Sequence, residues 1–398
     1  MYNNITWHEL LVRFALILFC STVLLNKANM FTFPILILAW VVDGSYKNFA
    51  QIIKEPLIKG ILVLCIVLLI GLLWSDFPQS GQMKWRKYFF FLILIPFLSL
   101  LNKERLKWAI GALVTGYISV LVIGGYQRII LLEQGIPFLN ISYLTFSAQL
   151  GIGVILATYF AGISSVRKIS LLFWALALAL LFLQLSQNGR GPLFATLITM
   201  FLTIPLLYRE NIKKCMIILA SIMSIISILA FSSPIFQERS KQVVHDIEQF
   251  QQGNYSTSIG YRLALWDIGL DGISKHPILG HGTGMPESYF KNAVKTYKGG
   301  VYKDLPNFLE ATHYHNDWIE IGMHIGVIGI LALGYLLWSW YLTFRSNHTP
   351  ILGIALVSYI FLSGLSDTFI IYSRISTLLL IITAIAICWQ KQNRYREH

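Results

Sequence analysis

The segment over residues 311–329, ATHYHNDWIEIGMHIGVIG, contains the densest group of side chains that could do chemistry. His313 and His315 lie two residues apart. Asn316 and Asp317 follow directly, where they could orient an imidazole. Because imidazole accepts a proton near neutral pH, this spacing indicates a general-base site. Two interfacial histidines that contact only water would show the same pattern.

The same residues could instead bind a metal ion. His313, His315 and Asp317 alternate, which would place three ligands on one face of an extended strand. A catalytic zinc site needs three protein ligands close together in space, and this short run is a weak signature for one. We therefore predict that the site contains no metal. The four cysteines lie inside apolar runs without metal-ligand or disulfide spacing: Cys20, Cys65, Cys215 and Cys388.

Cationic side chains beside apolar stretches form the second group of candidates, because a charge near a bilayer is costly. Arg190 lies in the two-glycine break SQNGRGPL, and Arg262 begins an amphipathic segment. Lys84, Arg86 and Lys87 come just before another apolar run. An isolated charge in such a position is a candidate for a functional role. Contacts with lipid headgroups or with water are the alternatives.

The composition indicates a membrane protein. Of the 398 residues, 56% are hydrophobic and 13% are charged, and the mean hydropathy is +0.63. In an average protein about a quarter of the residues are charged, so this chain has too little polar surface to cover a soluble protein of its size. The apolar residues also form blocks of about 20, the length that spans a bilayer as a helix.

The net charge of +12 has a topological explanation. Most of the lysines and arginines lie in short loops between apolar runs, where they orient membrane helices, so we predict no binding to nucleic acid. The first apolar run has no basic region before it and no small-residue cleavage site, so we expect it to stay as a helix.

The apolar runs predict an all-α polytopic membrane protein with about twelve transmembrane helices, of which the second is short. The excess of cations in alternate loops predicts that both termini are cytoplasmic. The predicted spans are residues 10–25, 30–43, 57–75, 88–101, 107–131, 140–163, 169–187, 191–208, 214–232, 317–343, 350–372 and 375–390.

Residues 233–316 interrupt this pattern as a long polar segment between the ninth and tenth spans. The predicted organisation is therefore helices 1–9 in residues 1–232, an outer loop domain in 233–316, and helices 10–12 with a cytoplasmic tail in 317–398. Connections of that length are usually functional. Inside it, residues 237–252 and 261–274 have helical spacing, and the punctuated loop HPILGHGTGMP follows.

Three further expectations concern the last spans. Gly322, Gly326 and Gly329 have the spacing of one helix face, where small residues would let another helix approach closely. His324 is expected to pack inside the bundle. Asp367 and Arg374 flank the outer end of the last two spans, where they could form an ion pair.

These motifs resemble the signature of the bacterial O-antigen ligase family. Residues 315–329 read His-Asn, nine residues and Gly-x-x-Gly, and residues 262–284 (RLALWDIGLDGISKHPILGHGTG) resemble the family's Arg…Trp…His-Pro…Gly-x-Gly element. Gly-Arg-Gly at 189–191 is similar to its arginine turn. The resemblance spans nearly the whole chain, including a large periplasmic loop after the ninth helix. O-antigen polymerases and protein O-oligosaccharyltransferases share much of this pattern.

The resemblance implies a membrane glycosyltransferase at the periplasmic face of the inner membrane. It would move a glycan from a polyprenyl (undecaprenyl) pyrophosphate to a sugar hydroxyl of lipid A–core, without a metal, nucleotide or other cofactor. His315 would be the essential histidine and general base, with His313 as a second histidine able to share the role. Arg190 and Arg262 would bind the donor pyrophosphate. The basic residue near the fourth helix would be Lys87 or Arg86.

Two alternatives remain open within the superfamily, and one lies outside it. A polymerase would join repeat units on the lipid carrier, and a protein O-oligosaccharyltransferase would glycosylate proteins; the His-Asn form of the motif favours a ligase. A lipid-linked sugar transporter would carry charges near the bilayer midplane. The spans 140–163, 191–208 and 375–390 carry none, which disfavours a transporter. For the ligase we expect His315, Arg190 and Arg262 to converge at one cavity.

Overall fold

The structure is a computed structural model that describes residues 6–24, 28–76, 83–232, 234–308 and 313–397. The described residues contain no β-strand beyond one isolated bridge between Ile136 and Ile141. The helices are α1 (Trp7–Thr22), α2 (Ala28–Val42), α3 (Phe49–Ile52), α4 (Pro56–Ile70), α5 (Leu94–Leu100), α6 (Lys103–Ile129), α7 (Tyr143–Ile163), α8 (Arg167–Leu185), α9 (Arg190–Leu207), α10 (Ile212–Ser232), α11 (Pro234–Gln251), α12 (Ser258–Lys275), α13 (Pro286–Thr296), α14 (Leu305–Phe308), α15 (Asp317–Ser346), α16 (Pro350–Ser366) and α17 (Ser373–Glu397).

The helices confirm an all-α, multi-pass membrane protein. Each predicted span coincides with helical structure, although the last residue of the first span lies outside the described residues. Two shorter apolar helices are present, Phe31–Val42 and Pro350–Ser366. The count of twelve crossings, their orientation and the division at 232 and 316 stay predictions. Seven of the described helices are long and apolar enough to cross a bilayer: Pro56–Trp74, Lys103–Ile129, Tyr143–Ile163, Arg167–Leu185, Arg190–Leu207, Asp317–Ser346 and Ser373–Lys391.

The fourth predicted span is not a continuous α-helix. Residues Met83–Ile93 form a 3₁₀-helix, and the α-helix α5 begins only at Leu94. Pro96 gives the physical reason, because proline has no backbone N–H and its ring would clash with the carbonyl four residues earlier. Beginning the α-helix at Leu94 places Pro96 in the first turn, where proline is tolerated.

Helix α15 lies at the centre of the bundle and packs along α4. Gly60 permits this packing, because a Cβ atom there would come within 2.9 Å of Ser339. The backbone N–H of Leu57 donates to Thr343 Oγ1 at 2.9 Å, and Trp340 donates to Thr383 of α17 at 2.8 Å. Small residues and such side-chain hydrogen bonds are what membrane helices use to associate, since lipid gives them no hydrophobic drive to do so.

Helix α15 is broken one third of the way along its length. Ile325 has φ −134° and Gly326 has φ +62° with ψ −150°, a combination that essentially only glycine adopts. A break frees backbone groups, and inside a membrane each of them must find a protein partner.

The loop over residues 276–284 supplies those partners. The N–H groups of His281 and Gly282 donate to the freed carbonyls of Met323 and His324, each at 2.9 Å. In return, the N–H of Val327 donates to Pro277 at 2.8 Å. The Gly/Pro-rich loop recognised in the sequence is therefore the segment that seals the break in α15.

The prediction that Gly322, Gly326 and Gly329 share one face of α15 is wrong, because the break disrupts the helical periodicity at Gly326. A Cβ on Gly322 would meet Ile273 of α12, so this glycine does allow close approach of a helix. A Cβ on Gly326 would instead meet the backbone of Ile278, and one on Gly329 would meet Ile321 of its own helix.

The segment between α10 and α15 has a hydrophobic core of its own. The two helices expected at 237–252 and 261–274 are confirmed as α11 and α12. Gly269 and Gly272 bring α12 close to α15, because a Cβ at either position would come within about 2.5 Å of Ile319 or Met323. The buried residues of this second core are Tyr261, Ala264, Leu265, Ile268, Phe290, Val294, Tyr302, Leu305, Tyr314, Ile319 and Met323.

Replacing Gly326 by alanine should destabilise the protein, because its backbone is strained for any residue with a Cβ and the Cβ would lie 2.5 Å from Ile278. The expected loss is about 1–3 kcal/mol, seen as a lower thermal unfolding midpoint in detergent. Gly334→Ala in the same helix is the matched control, since an added Cβ there meets nothing within 4 Å. Equal midpoints for the two variants would contradict this account of the break.

Candidate active site

The imidazole of His315 is hydrogen-bonded to a buried carboxylate. His315 Nδ1 lies 2.9 Å from Asp367 Oδ1, at the end of α16. Asp367 also accepts from the backbone N–H of Thr368 at 2.8 Å and from the hydroxyl of Tyr372 at 3.0 Å. Three donors therefore satisfy a carboxylate that is only 7% exposed.

The electrostatics of this group fix the position of the imidazole proton. Burial alone would raise the pKa of Asp367, but the hydrogen bond from His315 and the nearby charges of His315, His313 and Arg262 lower it to about 2. The carboxylate is thus ionised at physiological pH and accepts from His315 Nδ1–H. When His315 donates from Nδ1 in this way, Nε2 is the ring atom left to accept a proton, so Nε2 can act as the base.

The backbone of His315 is in the left-handed region, with φ +49°. Residues other than glycine rarely adopt this conformation unless their surroundings enforce it. Here the N–H of His315 donates to His313 Nδ1 at 3.3 Å, and the carbonyl accepts from Trp266 Nε1 at 3.3 Å. The two imidazole rings lie edge to face, with centroids 4.1 Å apart.

The residue that orients His315 is not one of those expected from the sequence. Asn316 caps α15 by accepting from the N–H groups of Trp318 and Ile319, and Asp317 accepts from the N–H of Ile370. Both side chains fix backbone around the site, and the described contacts of neither reach the imidazole ring.

The expected ion pair between Asp367 and Arg374 is also wrong. Arg374 donates to the carbonyl of Asn140 at 3.4 Å, and no ion pair joins these two described side chains. Asp367 is occupied by His315 and Tyr372 instead. The sequence marked Asp367 as a possible partner of Arg374 at the outer end of a span, but it gave no indication that its partner was a histidine 52 residues earlier.

One group of described residues has the geometry to hold a metal ion. The ligand atoms of His313, His315 and Asp367 lie within 4.8 Å of one another. Asp317, which the sequence offered as the third ligand, is not part of this group. The Nδ1 atoms of both histidines already have protein hydrogen-bond partners, and the absence of a metal stays a prediction.

Arg262 acts on the carboxylate of Asp367 through its charge. It is half-buried on α12, one turn before Trp266, and residues four apart share a helix face. Its charge is close enough to contribute to the low pKa of Asp367. Among the described residues no carboxylate lies within 4 Å of it, so this cation has no anionic partner in the part of the chain that the structure describes.

Arg190 contacts α11 rather than His315 among the contacts described. It is the first residue of α9, and its guanidinium donates to Gln242 of α11 at 3.3 Å. The adjacent Gly191 packs against Ser366, since a Cβ there would come within 2.6 Å of the Ser366 hydroxyl. Because Ser366 precedes Asp367, the arginine turn abuts the end of α16 that carries the carboxylate.

The third group of cations lies in the 3₁₀-helix before α5. Arg86 is exposed beside the ring of Trp85, and Lys87 is half-buried, which lowers the pKa of its ammonium. The described contacts of these two residues reach neither His315 nor Arg262. The side chain of Lys84 lies outside those described.

Asp367→Asn should alter how stability depends on pH. Because folding lowers the pKa of Asp367 from its ordinary 3.8 to about 2, its stabilisation is present above that range and is lost as the pH falls through it. The thermal midpoint of the wild type should therefore fall more steeply than that of Asp367→Asn between about pH 5 and pH 2. Asp304→Asn, at an exposed aspartate, is the control and should follow the wild type. Parallel curves for Asp367→Asn and wild type would contradict the assignment.

Comparisons with known proteins agree with the sequence motifs. The sequence model of a family described as O-Antigen ligase matches residues 174–334. Over an alignment of 407 residues the chain is 26% identical to a protein named O-antigen ligase from Escherichia coli (strain K12), with coverage of 92% of this chain and 88% of that protein. An uncharacterized protein from Haemophilus influenzae is 31% identical over 131 residues, 32% of each chain. Over these residues the chain is similar to the O-antigen ligase family, in agreement with the motifs that the matches contain.

Proposed function

We propose that this protein is an O-antigen ligase, which transfers a glycan from polyprenyl pyrophosphate to a sugar hydroxyl of lipid A–core. The observation that carries this proposal is the imidazole of His315, hydrogen-bonded to the buried, ionised Asp367 and held in a left-handed backbone conformation. The relative named O-antigen ligase from E. coli supports a ligase activity, and the donor and acceptor classes are those that the resemblance of the sequence motifs implies. The predicted distribution of cations supports a site on the outer face of the membrane, among membrane lipids, and the resemblance implies that this is the periplasmic face of the inner membrane.

In the proposed reaction His315 is the general base. Its Nε2 takes the proton of the acceptor hydroxyl as that oxygen forms a bond to the anomeric carbon of the donor sugar. The bond from that carbon to the pyrophosphate oxygen breaks, and the pyrophosphate leaves with the electron pair. Asp367 stabilises the imidazolium that results, as carboxylates do beside catalytic histidines. Base catalysis of this kind contributes about 10²–10⁴-fold, and a single displacement inverts the anomeric configuration.

The negative charge that develops on the leaving pyrophosphate needs cations. Arg262 supports this role because it is half-buried, its charge acts on Asp367, and among the described residues no carboxylate lies within 4 Å of it. Arg190 would bind the same group from the turn before α9. Guanidinium groups suit this task because their planar fork gives two parallel hydrogen bonds and stays charged. Lys87 or Arg86 would act further out, where an incoming anionic donor first meets the protein.

The variant His315→Asn should lower the rate of transfer by about 10²–10⁴-fold, the contribution of the base. Asparagine tolerates the left-handed backbone better than most residues, so the loop should keep its conformation while the base is lost. We expect a deletion strain complemented with this variant to show lipid A–core without attached glycan on a lipopolysaccharide gel. His348→Asn is the matched control, because His348 also has a left-handed backbone (φ +57°) and is exposed between α15 and α16.

Other gel patterns would contradict the proposal in distinct ways. Core bearing a single repeat unit in the deletion strain would indicate a polymerase. An unchanged series of lipopolysaccharide bands in the deletion strain would favour a protein O-oligosaccharyltransferase, to be tested on glycoproteins. If the deletion strain is defective and His315→Asn restores transfer fully, His315 is not the base.

Arg262→Lys should be almost as damaging as Arg262→Ala if bidentate contact with the pyrophosphate matters. With purified protein and lipid-linked donor we expect both variants to lose about 10²-fold in kcat, the usual cost of removing a donor that stabilises developing charge. Arg209→Lys, at an exposed arginine paired only with its neighbour Glu210, should be unaffected. A fully active Arg262→Lys would show that a point charge is sufficient.

A further inference from the structure

Glu320 and His324 form a buried pair of ionisable side chains that the proposed proton transfer does not use. They lie one turn apart on α15, just before its break, and are 5% and 3% exposed. Glu320 Oε1 lies 3.6 Å from His324 Nε2. Burying such groups is costly unless they have partners, so their contacts indicate what they do.

The partner of Glu320 is the peptide between His313 and Tyr314, one residue before His315. Glu320 Oε2 accepts from the backbone N–H of Tyr314 at 2.9 Å. Tyr314 is 1% exposed, and its hydroxyl donates to the carbonyl of Pro286 at 3.0 Å. The carboxylate therefore fixes one side of the strained His315 backbone, while Asn316 caps the helix on the other side.

His324 links this carboxylate to the loop that seals α15. Its Nδ1 accepts from the N–H of Gly284 at 3.0 Å, so Nδ1 carries no proton. The ring proton is then on Nε2, directed at Glu320. At 3.6 Å this is too long for a hydrogen bond, but it is a favourable electrostatic contact. The ring of Tyr88 packs edge-on against the imidazole, with centroids 6.5 Å apart.

We propose that Glu320 is a positioning residue that maintains the reactive orientation of His315 through the N–H of Tyr314, with His324 fixing the carboxylate. This inference rests on the proposed function of His315. Without an acceptor the buried N–H of Tyr314 loses its partner, and the preceding peptide can rotate. His315 Nε2 then moves relative to the acceptor hydroxyl, which slows the chemical step but leaves the binding of both substrates intact.

The test compares two substitutions at Glu320 in a transfer assay with purified protein, polyprenyl-pyrophosphate-linked glycan and lipid A–core. Glu320→Met conserves volume but has no oxygen acceptor, and should lower kcat by about 10–100-fold with KM for both substrates within about twofold, as expected for a misplaced catalytic group. Glu320→Gln keeps an amide oxygen for Tyr314 N–H and should retain most of the wild-type kcat. Glu287→Met, at a carboxylate of α13 that is 9% exposed, is the matched control and should leave kcat unchanged.

Rates are expressed per folded molecule, from the thermal unfolding midpoint and the size-exclusion profile of each variant. Glu320→Ala serves as a second variant without an acceptor if Glu320→Met does not accumulate. Wild-type kcat in the apolar variants overturns the proposal, because Glu320 would then be structural only. An equal loss in Glu320→Gln and Glu320→Met also overturns it, since the hydrogen-bond acceptor would not be what matters.

A double variant separates this proposal from the proposed function. If Glu320 acts through His315, then adding Glu320→Met to His315→Asn should not lower the residual rate further. Additive losses would overturn the positioning role alone. Wild-type transfer by His315→Asn would overturn the proposed function and this inference with it, whereas an inactive His315→Asn beside a fully active Glu320→Met would overturn only the inference.

Discussion

The break in α15 is the constraint on which the rest of the site depends. A membrane helix cannot leave backbone groups unpaired, so the carbonyls freed before Gly326 require donors from elsewhere in the chain. The 276–284 loop provides these donors, and α12 lies directly before this loop. Sealing the break therefore draws α12 onto the first turns of α15. That contact brings Arg262 and Trp266 to the residues that precede α15.

The opposite side of the site depends on the end of α16. Here the chain turns at Asp367 before α17 begins, and the buried carboxylate of Asp317 binds the N–H of Ile370 in this turn. Gly364 leaves room for Asp317, since a Cβ there would lie 2.5 Å from its Oδ2. Asp317, the first residue of α15, thus fixes the loop that carries Asp367. Asp317 lies two positions after His315, the histidine that Asp367 orients. One short segment, residues 313–317, is in this way tied to both halves of the site.

The sequence predicted those features that depend on composition and on local spacing. Apolar runs predicted the helices, and the family motif directed attention to His315 and Arg262. The sequence did not predict the features that depend on contacts between segments distant along the chain. Asp367 is the clearest case, because nothing in its neighbourhood indicates a histidine partner. The glycine face failed for a related reason, since spacing counts assume an unbroken helix and Gly326 interrupts it.

The cost of burying the Asp367 carboxylate explains why His315 does not need the substrate to fix its orientation. A buried carboxylate is stable only when donors replace its hydration, and Asp367 has three of them, from His315, Thr368 and Tyr372. Rotating the imidazole away would leave a buried negative charge with one donor fewer, which costs more than the hydrogen bond itself is worth. The orientation of His315 is therefore set by the requirements of the carboxylate before any substrate binds. A base prepared in this way needs little reorganisation in the transition state, which is where preorganised sites gain their rate.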